Sequence, residues 1–336
     1  MPIRLRDIAQ DLNLSTMTIS KVLRGQTDVS AETKARVMKR VRELNYRPNI
    51  AARGLRTGQT SSIGIVVPRL GGAFIPVLVE ALTEVFRRDG YSLIVGCADG
   101  DAENEERESE LHLSRQVEAL LFCVREDAAD IPQPLKNSSV PVVLIGHRPA
   151  RINLLSVGLR EEEVGSLAAT HLLACRSRRI AYMRGRRTAV ADQRVTGFRE
   201  ALRDRNIPLR EEWLVELDSE ESEFAAAYIG VRKMMQSAPR PDGIVCSSDL
   251  AAAGCCSALQ KAGFTVPEQV QIIGAGNSPE ICEPFGLTSI DLSAAELGRR
   301  AARMTLRLIR EADDASLRSM TLSPSLVVRT STRAPS

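Results

Sequence analysis

The sequence predicts an α/β protein: a small all-helical head followed by a larger, two-lobed core built on two parallel sheets. Three observations carry that prediction. Charge is unevenly spread, with 12 Lys/Arg against 5 Asp/Glu in residues 1–60, a net of +7, and 33 against 37 in the remainder, a net of −4. Residues 5–44 keep helical apolar spacing. From Ile63 onward, short apolar runs alternate with helical stretches, the pattern of parallel strands joined by helical crossovers. Roughly 270 residues of that pattern exceed one comfortable sheet, so two similar lobes are expected.

The head reads as three helices. Leu5, Ile8, Ala9 and Leu12 form the i, i+3, i+4, i+7 stripe of a half-buried helix that Asn13-Leu14 breaks. Ser15 is an N-cap for a second helix, Thr16 to about Leu23, which turns Ile19, Val22 and Leu23 inward. Thr16, Met17, Thr18, Ser20, Lys21 and Arg24 stay outside, and Gly25 ends it. Ser30 caps a third helix to about Leu44, with Val37, Val41 and Leu44 inward and Lys34, Arg36, Lys39, Arg40 and Arg42 outward. Two short helices a few residues apart, braced by a third, make a helix-turn-helix.

Pro48-Asn49 stops the third helix. Ile50 to Arg56 is a helical candidate too short to be stable alone, and residues 57–62 read as a linker. The expected division is therefore a head over 1–47, a hinge helix and linker over 48–60, and a core over 61–332. Strands are expected at Ile63–Val67, Tyr91–Val95, Leu120–Val124, Val142–Ile145, Ile180–Met183, Ile244–Cys246 and Val270–Ile273.

A basic head on a mildly acidic body points to a polyanion reader joined to a module with another task. No apolar segment with a small-residue cleavage site follows Met1, and no run of about 18 apolar residues occurs, so a cytoplasmic chain with no membrane partner is expected. The seven scattered cysteines form no C-x-x-C pair and read as reduced, buried thiols. Asp99-Gly100-Asp101 lacks the rest of a calcium loop. Three separated histidines, no G-x-S-x-G elbow and no phosphate loop leave no catalytic constellation, metal site or cofactor motif.

Several segments resemble, in order and spacing, the LacI family of repressors. In the head and hinge they are Leu5–Ala9, Ser15–Leu23, Leu44–Asn49 and Ala51–Leu55. In the core they are Ile63–Pro68, Gln193–Phe198, Asp249–Gly254 and Leu287–Ile290. The likeness covers nearly the whole chain. It implies a core like the sugar-binding periplasmic proteins, two lobes joined by three crossing strands with an effector in the cleft. The crossings fall near Val157–Leu159, Ser289–Asp291 and Leu322–Ser325. It also implies a homodimer on a pseudo-palindromic duplex operator, controlled by a small-molecule effector.

A helix-turn-helix presents the start of its second helix to the major groove. Thr16 offers a hydroxyl, Met17 an apolar contact for a thymine methyl, and Lys21 donors for guanine, although Lys is less bidentate than the Arg common in relatives. Thr18, Ser20 and Arg24 share that surface. Asn49, Leu55 and Arg56 complete the expected DNA contacts, with Leu55 implied as a minor-groove wedge. In the core, Phe74, His147, Arg148, Arg194, Asp249 and Asn277 are the expected effector residues. Asp249 would accept from ligand hydroxyls opposite Arg194, Phe74 would stack, and His147-Arg148 sit at a strand end. Gly276-Asn277 stands where relatives often show acids, which tilts the expected effector from a sugar toward a sugar acid. A solute-binding protein of sugar transport is the alternative reading, against which the basic head argues.

Overall fold

The computed structural model describes residues 3–23, 28–46, 60–149, 152–217, 222–236, 238–311 and 316–334, in two units, Met1–Thr60 and Ser61–Ser336. Arg24, Gly25, Asn49, Leu55, Arg56 and the expected hinge helix lie outside the described residues.

In the first unit the helices are α1 (Leu5–Asp11), α2 (Thr16–Leu23) and α3 (Ala31–Glu43). Local chemistry sets their ends. Asn13 turns the chain with a φ of +55°, a left-handed conformation that Asn tolerates. The Oγ of Ser15 accepts from the Thr18 N–H at 3.0 Å, and that of Ser30 from the Thr33 N–H at 3.2 Å. Ile8, Ala9, Ile19, Val22, Val37 and Val41 form the core, and Arg40 joins α3 to α1 through Asp11 at 2.5 Å. Periodicity alone had specified these inward faces.

The second unit contains two six-stranded sheets. Its first part runs β1 (Ser62–Val67), α4 (Phe74–Arg88), β2 (Ser92–Cys97), α5 (Ala102–Ser114), β3 (Ala119–Val124), α6 (Gln133–Lys136), β4 (Val142–Gly146) and β5 (Leu155–Leu159). Next come α7 (Glu161–Ala174), β6 (Ile180–Arg184), α8 (Ala189–Arg203), β7 (Leu214–Glu216), α9 (Glu223–Met234), β8 (Gly243–Cys246), α10 (Asp249–Lys261), β9 (Gln271–Ala275), α11 (Pro279–Phe285) and β10 (Thr288–Asp291). The chain closes with α12 (Ala294–Arg310), β11 (Met320–Leu322) and β12 (Ser325–Val327). The first sheet has the order β11-β5-β4-β3-β1-β2 with every pairing parallel. The second has the order β12-β10-β9-β8-β6-β7, parallel except for β12 against β10.

The chain therefore passes between lobes three times, after β5, after β10 and between β11 and β12. The third crossing falls at its expected place, and only its form differs from a single strand. Instead of one strand near Leu322–Ser325, two three-residue strands flank Ser323-Pro324. Proline has no N–H for a ladder and fixes φ, so the segment bends where it changes sheet.

Helices α7 and α8 pack on the second sheet and touch backbone to backbone. A Cβ at Gly165 would overlap the Arg194 carbonyl oxygen, and one at Gly197 the Glu162 carbonyl oxygen. This close approach brings Glu161 and Arg194 together. Overpacking such a contact costs about 1–3 kcal/mol, so Gly197→Ala should lower unfolding stability by that order in urea denaturation. Gly71→Ala, where an added methyl meets nothing within 4 Å, should stay near neutral.

His112 of α5 is 1 % exposed, and neither ring nitrogen has a hydrogen-bond partner of good geometry. Burial lowers its proton affinity below the ordinary value of 6.5, and burial acts likewise on His171. A group lowered in the folded state leaves stability intact above its unfolded value and costs it as the pH falls toward the folded one. Urea midpoints should thus fall between about pH 7.5 and about pH 5.5, and His112→Gln should flatten that slope.

Candidate functional site

On the head, Met17 is 66 % exposed on α2 and Lys21 lies one turn further along the same face. Thr16 is exposed, and Thr18 and Ser20 are half-buried. The Thr18 hydroxyl is hydrogen-bonded to Ser15 Oγ at 2.9 Å, so it serves the cap as well as the surface. Lys21 forms an ion pair with Asp28, in the connection between α2 and α3. That pairing, with Lys21 first among its causes, holds the Asp28 carboxyl below the usual carboxylate range.

In the core, a cavity of about 510 Å³ lies between the lobes. Its polar lining comes from the C-terminal ends of parallel strands, where open α/β sheets expose free backbone and side chains to ligands. Arg125 and Glu126 follow β3, His147 follows β4, Glu161 follows β5, Arg186 and Thr188 follow β6, and Ser247 follows β8. Phe74 opens α4 at the cavity wall and packs against the apolar cores of both lobes.

Four arginines (Arg69, Arg125, Arg186 and Arg194) face four acids (Glu126, Asp127, Glu161 and Glu223) across this lining. Several are already engaged. Arg194 Nε donates to Glu161 Oε2 at 2.7 Å, and both side chains are nearly buried, at 12 % and 11 % exposure. Burial opposes the charge on Arg194, but Glu161 and then Glu126 outweigh it and raise its proton affinity. Arg125 donates to the Gly100 carbonyl at 2.9 Å, and its Nε lies 3.0 Å from Glu105, a carboxylate 3 % exposed whose pKa burial pushes up. The Thr188 hydroxyl donates to Glu126 at 3.2 Å, a direct hydrogen bond across the cleft. Ser247 Oγ is buried at the cavity with no hydrogen-bond partner.

Phe74, His147 and Arg194 thus share one cavity, and Arg148, Asp249 and Asn277 do not line it. Arg148 donates to Ser319 Oγ at 3.2 Å, beside β11. Asp249 is 3 % exposed, and both carboxylate oxygens are taken, by Ser289 Oγ at 2.5 Å and the Ser278 N–H at 2.8 Å. It faces β9 and β10 rather than a ligand, and the expected clamp with Arg194 does not form. Asn277 is held by Arg329 at 2.9 Å and reaches Asp291 at 3.4 Å. Gly276-Asn277 therefore does not set the charge of the cleft, whose described lining carries as many acids as arginines. Arg125, Glu126, Glu161, Arg186, Thr188, Glu223 and Ser247 line the same cavity and are not among the expected effector residues. The strand-end rule that singled out His147 would have found most of them.

Among the described residues no group of His, Cys, Asp and Glu side chains could hold a metal, and no helix is long and apolar enough to cross a membrane. All seven cysteines are free thiols and six are buried, with burial pushing Cys123 up to about 12.

Removing one member of a buried ion pair strands the other, at about 3–5 kcal/mol, whereas replacing both is often near neutral. Arg194→Ala should therefore lower stability clearly in chemical denaturation, and Arg194→Met with Glu161→Gln should recover most of it. A double-variant loss equal to the sum of the Arg194→Met and Glu161→Gln losses would mean that the pair contributes nothing jointly.

The chain matches two family models, "Bacterial regulatory proteins, lacI family" over residues 4–49 and "Periplasmic binding protein-like domain" over residues 169–332. It is 31% identical to the HTH-type transcriptional repressor PurR of Mannheimia succiniciproducens, over 98% of this chain and 98% of that protein. It is 28% identical to the ribose operon repressor of Haemophilus influenzae, over 97% and 98% respectively. Among solved structures, the lac repressor dimer bound to operator and the anti-inducer ONPF superposes with a TM-score of 0.85. That match covers 99% of this chain and 100% of that one at 23% identity, a likeness of fold. With a head matching one model, a lobed core matching the other, and full-length identity to a transcriptional repressor, the chain belongs to the lacI family of bacterial regulatory proteins.

Proposed function

We propose that this protein is a transcriptional repressor that binds a pseudo-palindromic duplex operator as a homodimer, with an affinity set by a sugar-class effector in the interlobe cleft. The observation that carries the proposal is the exposed face of α2, where Thr16, Met17 and Lys21 stand together on a basic head. Such a face supplies hydroxyl, apolar and cationic contacts for base edges. Arg24, Asn49, Leu55 and Arg56 belong to the same proposed interface by resemblance. The lac repressor structure cited above is named as a dimer on operator, which supports the same assembly here. Two identical heads would read half-sites about one helical turn apart. Exposed Ile229, Leu250 and Phe285, on the successively packed α9, α10 and α11, supply apolar surface for a dimer contact.

For the effector, carboxylates that accept from hydroxyls and arginines that donate to them suit a polyhydroxylated ligand. The balance of charge favours a neutral sugar over a sugar acid, because Arg194 is already occupied by Glu161. A ligand touching groups from both lobes favours one lobe arrangement, which is how it can alter DNA affinity.

Selection of the full-length protein on random duplex DNA should yield a two-fold symmetric site, and alanine at Thr16, Met17 and Lys21 together should abolish that choice. An unchanged selected site would refute the reading of the head. Repeating the binding with a panel of neutral sugars, sugar acids and purines should show a neutral sugar shifting operator affinity by about 5- to 150-fold, the usual allosteric range. A shift confined to purines or acids would overturn the effector class and leave the regulator standing.

A further inference from the structure

We infer that Asp28 is a positioning residue that turns Lys21 into a forked reader of guanine, and so sharpens the operator specificity of this head. The inference rests on the DNA-reading role proposed above for α2. Lys21 is the last base-facing candidate on that helix, one turn after Met17, and its ammonium is bound by the Asp28 carboxylate. The contact is an exposed one, with 33 % of the Lys21 side chain and 53 % of the Asp28 side chain open to solvent. Ion pairs so exposed add little to stability. A carboxylate beside Lys21, within a segment (residues 1–60) of net charge +7, also repels phosphates, so stability and general DNA affinity give no reason for it. Its effect on the geometry of Lys21 does.

A lysine ammonium is a point charge with three donors on a flexible stem, free to rotate among acceptors, whereas arginine presents a rigid fork. The guanine edge offers two acceptors, O6 and N7, side by side in the major groove. When one Nζ–H is committed to Asp28, rotation about the Cε–Nζ bond is fixed and two N–H groups remain. Those two diverge from one nitrogen and can address O6 and N7 together. The pair thus supplies from two residues the directionality that an arginine supplies alone. Among the described residues Lys34 is the other cation acting on Asp28, and it lies on α3 rather than on α2 with Thr16, Met17 and Lys21. Asp28 also partly neutralises Lys21, so contact with phosphate or with a base lacking the double acceptor returns less. The selectivity arises from both effects.

The test uses the full-length protein and the duplex site selected from random DNA. Lys21→Ala identifies the base pair that Lys21 reads, as the position where preference is lost. At that position alone, Asp28→Ala should cut discrimination at least fivefold while binding to unrelated DNA strengthens. Preferences read by Thr16 and Met17 should hold. Asp28→Ala combined with Lys21→Arg should restore discrimination, because the guanidinium fork needs no partner. Asp28→Asn, which keeps an acceptor but not the charge, should fall between. Circular dichroism melts should coincide for all variants, and a uniform loss at every position would indicate a merely structural Asp28 and overturn the inference. Unchanged discrimination in Asp28→Ala would overturn it as well. If the wild-type protein selects no sequence at all, the reading of the head fails first.

Discussion

The buried carboxylate of Asp249 organises the second lobe. It sits at the first residue of α10, and its two oxygens accept from Ser289 on β10 and from the backbone N–H of Ser278 at the start of α11. The network extends outward: the Asn277 N–H donates to Ser289 Oγ at 3.1 Å, and Asn277 is in turn held by Arg329 beyond β12. Gly274 on β9 has no side chain because any Cβ would overlap the carboxylate. One carboxylate thus ties the start of α10 to β10 and to the end of β9, where the chain prepares to cross to the other lobe. A charge with 3 % exposure is tolerable only because both oxygens are hydrogen-bonded.

With those strands fixed, their ends define the cleft. Two sheets whose parallel strands point their C-terminal ends toward each other must line the gap with the residues that follow each strand. The gap holds paired charges rather than a field of one sign. Glu161 satisfies Arg194, Glu105 lies beside Arg125, and Glu126 reaches Thr188 on the other lobe. Pairing keeps the cost of partial burial low, and it leaves donors and acceptors close together. It also means that side chains of both lobes in the gap are already engaged, Glu126 with Thr188 directly across it.

The head obeys different physics. Among the described residues its core of six buried side chains is small, two serine caps and a left-handed asparagine define its helix ends, and the Arg40–Asp11 bridge joins α3 to α1. Nothing apolar is spent on the outer face of α2 except Met17, which stands mostly in solvent. An exposed methionine between a threonine and a lysine has little to do in the free protein.

Much of this was legible in the chain itself. Helical periodicity gave α1 to α3 within a residue at each end, because capping chemistry and the i, i+3, i+4 stripe are local properties. The alternation of apolar runs located seven of the strands, and the resemblance located the crossings. What the sequence determined was therefore which segments are helices and strands, and which residues stand at strand ends. What only the tertiary structure decided was whom each polar residue meets. Asp249 looked like an open acceptor, yet Ser289, forty positions away, occupies it. Asn277 looked like a cleft residue, yet Arg329 holds it, and Glu161 and Arg194 find each other only because Gly165 and Gly197 let two helices touch. Burial and partner choice depend on distances between segments remote in sequence, and no local pattern encodes those distances.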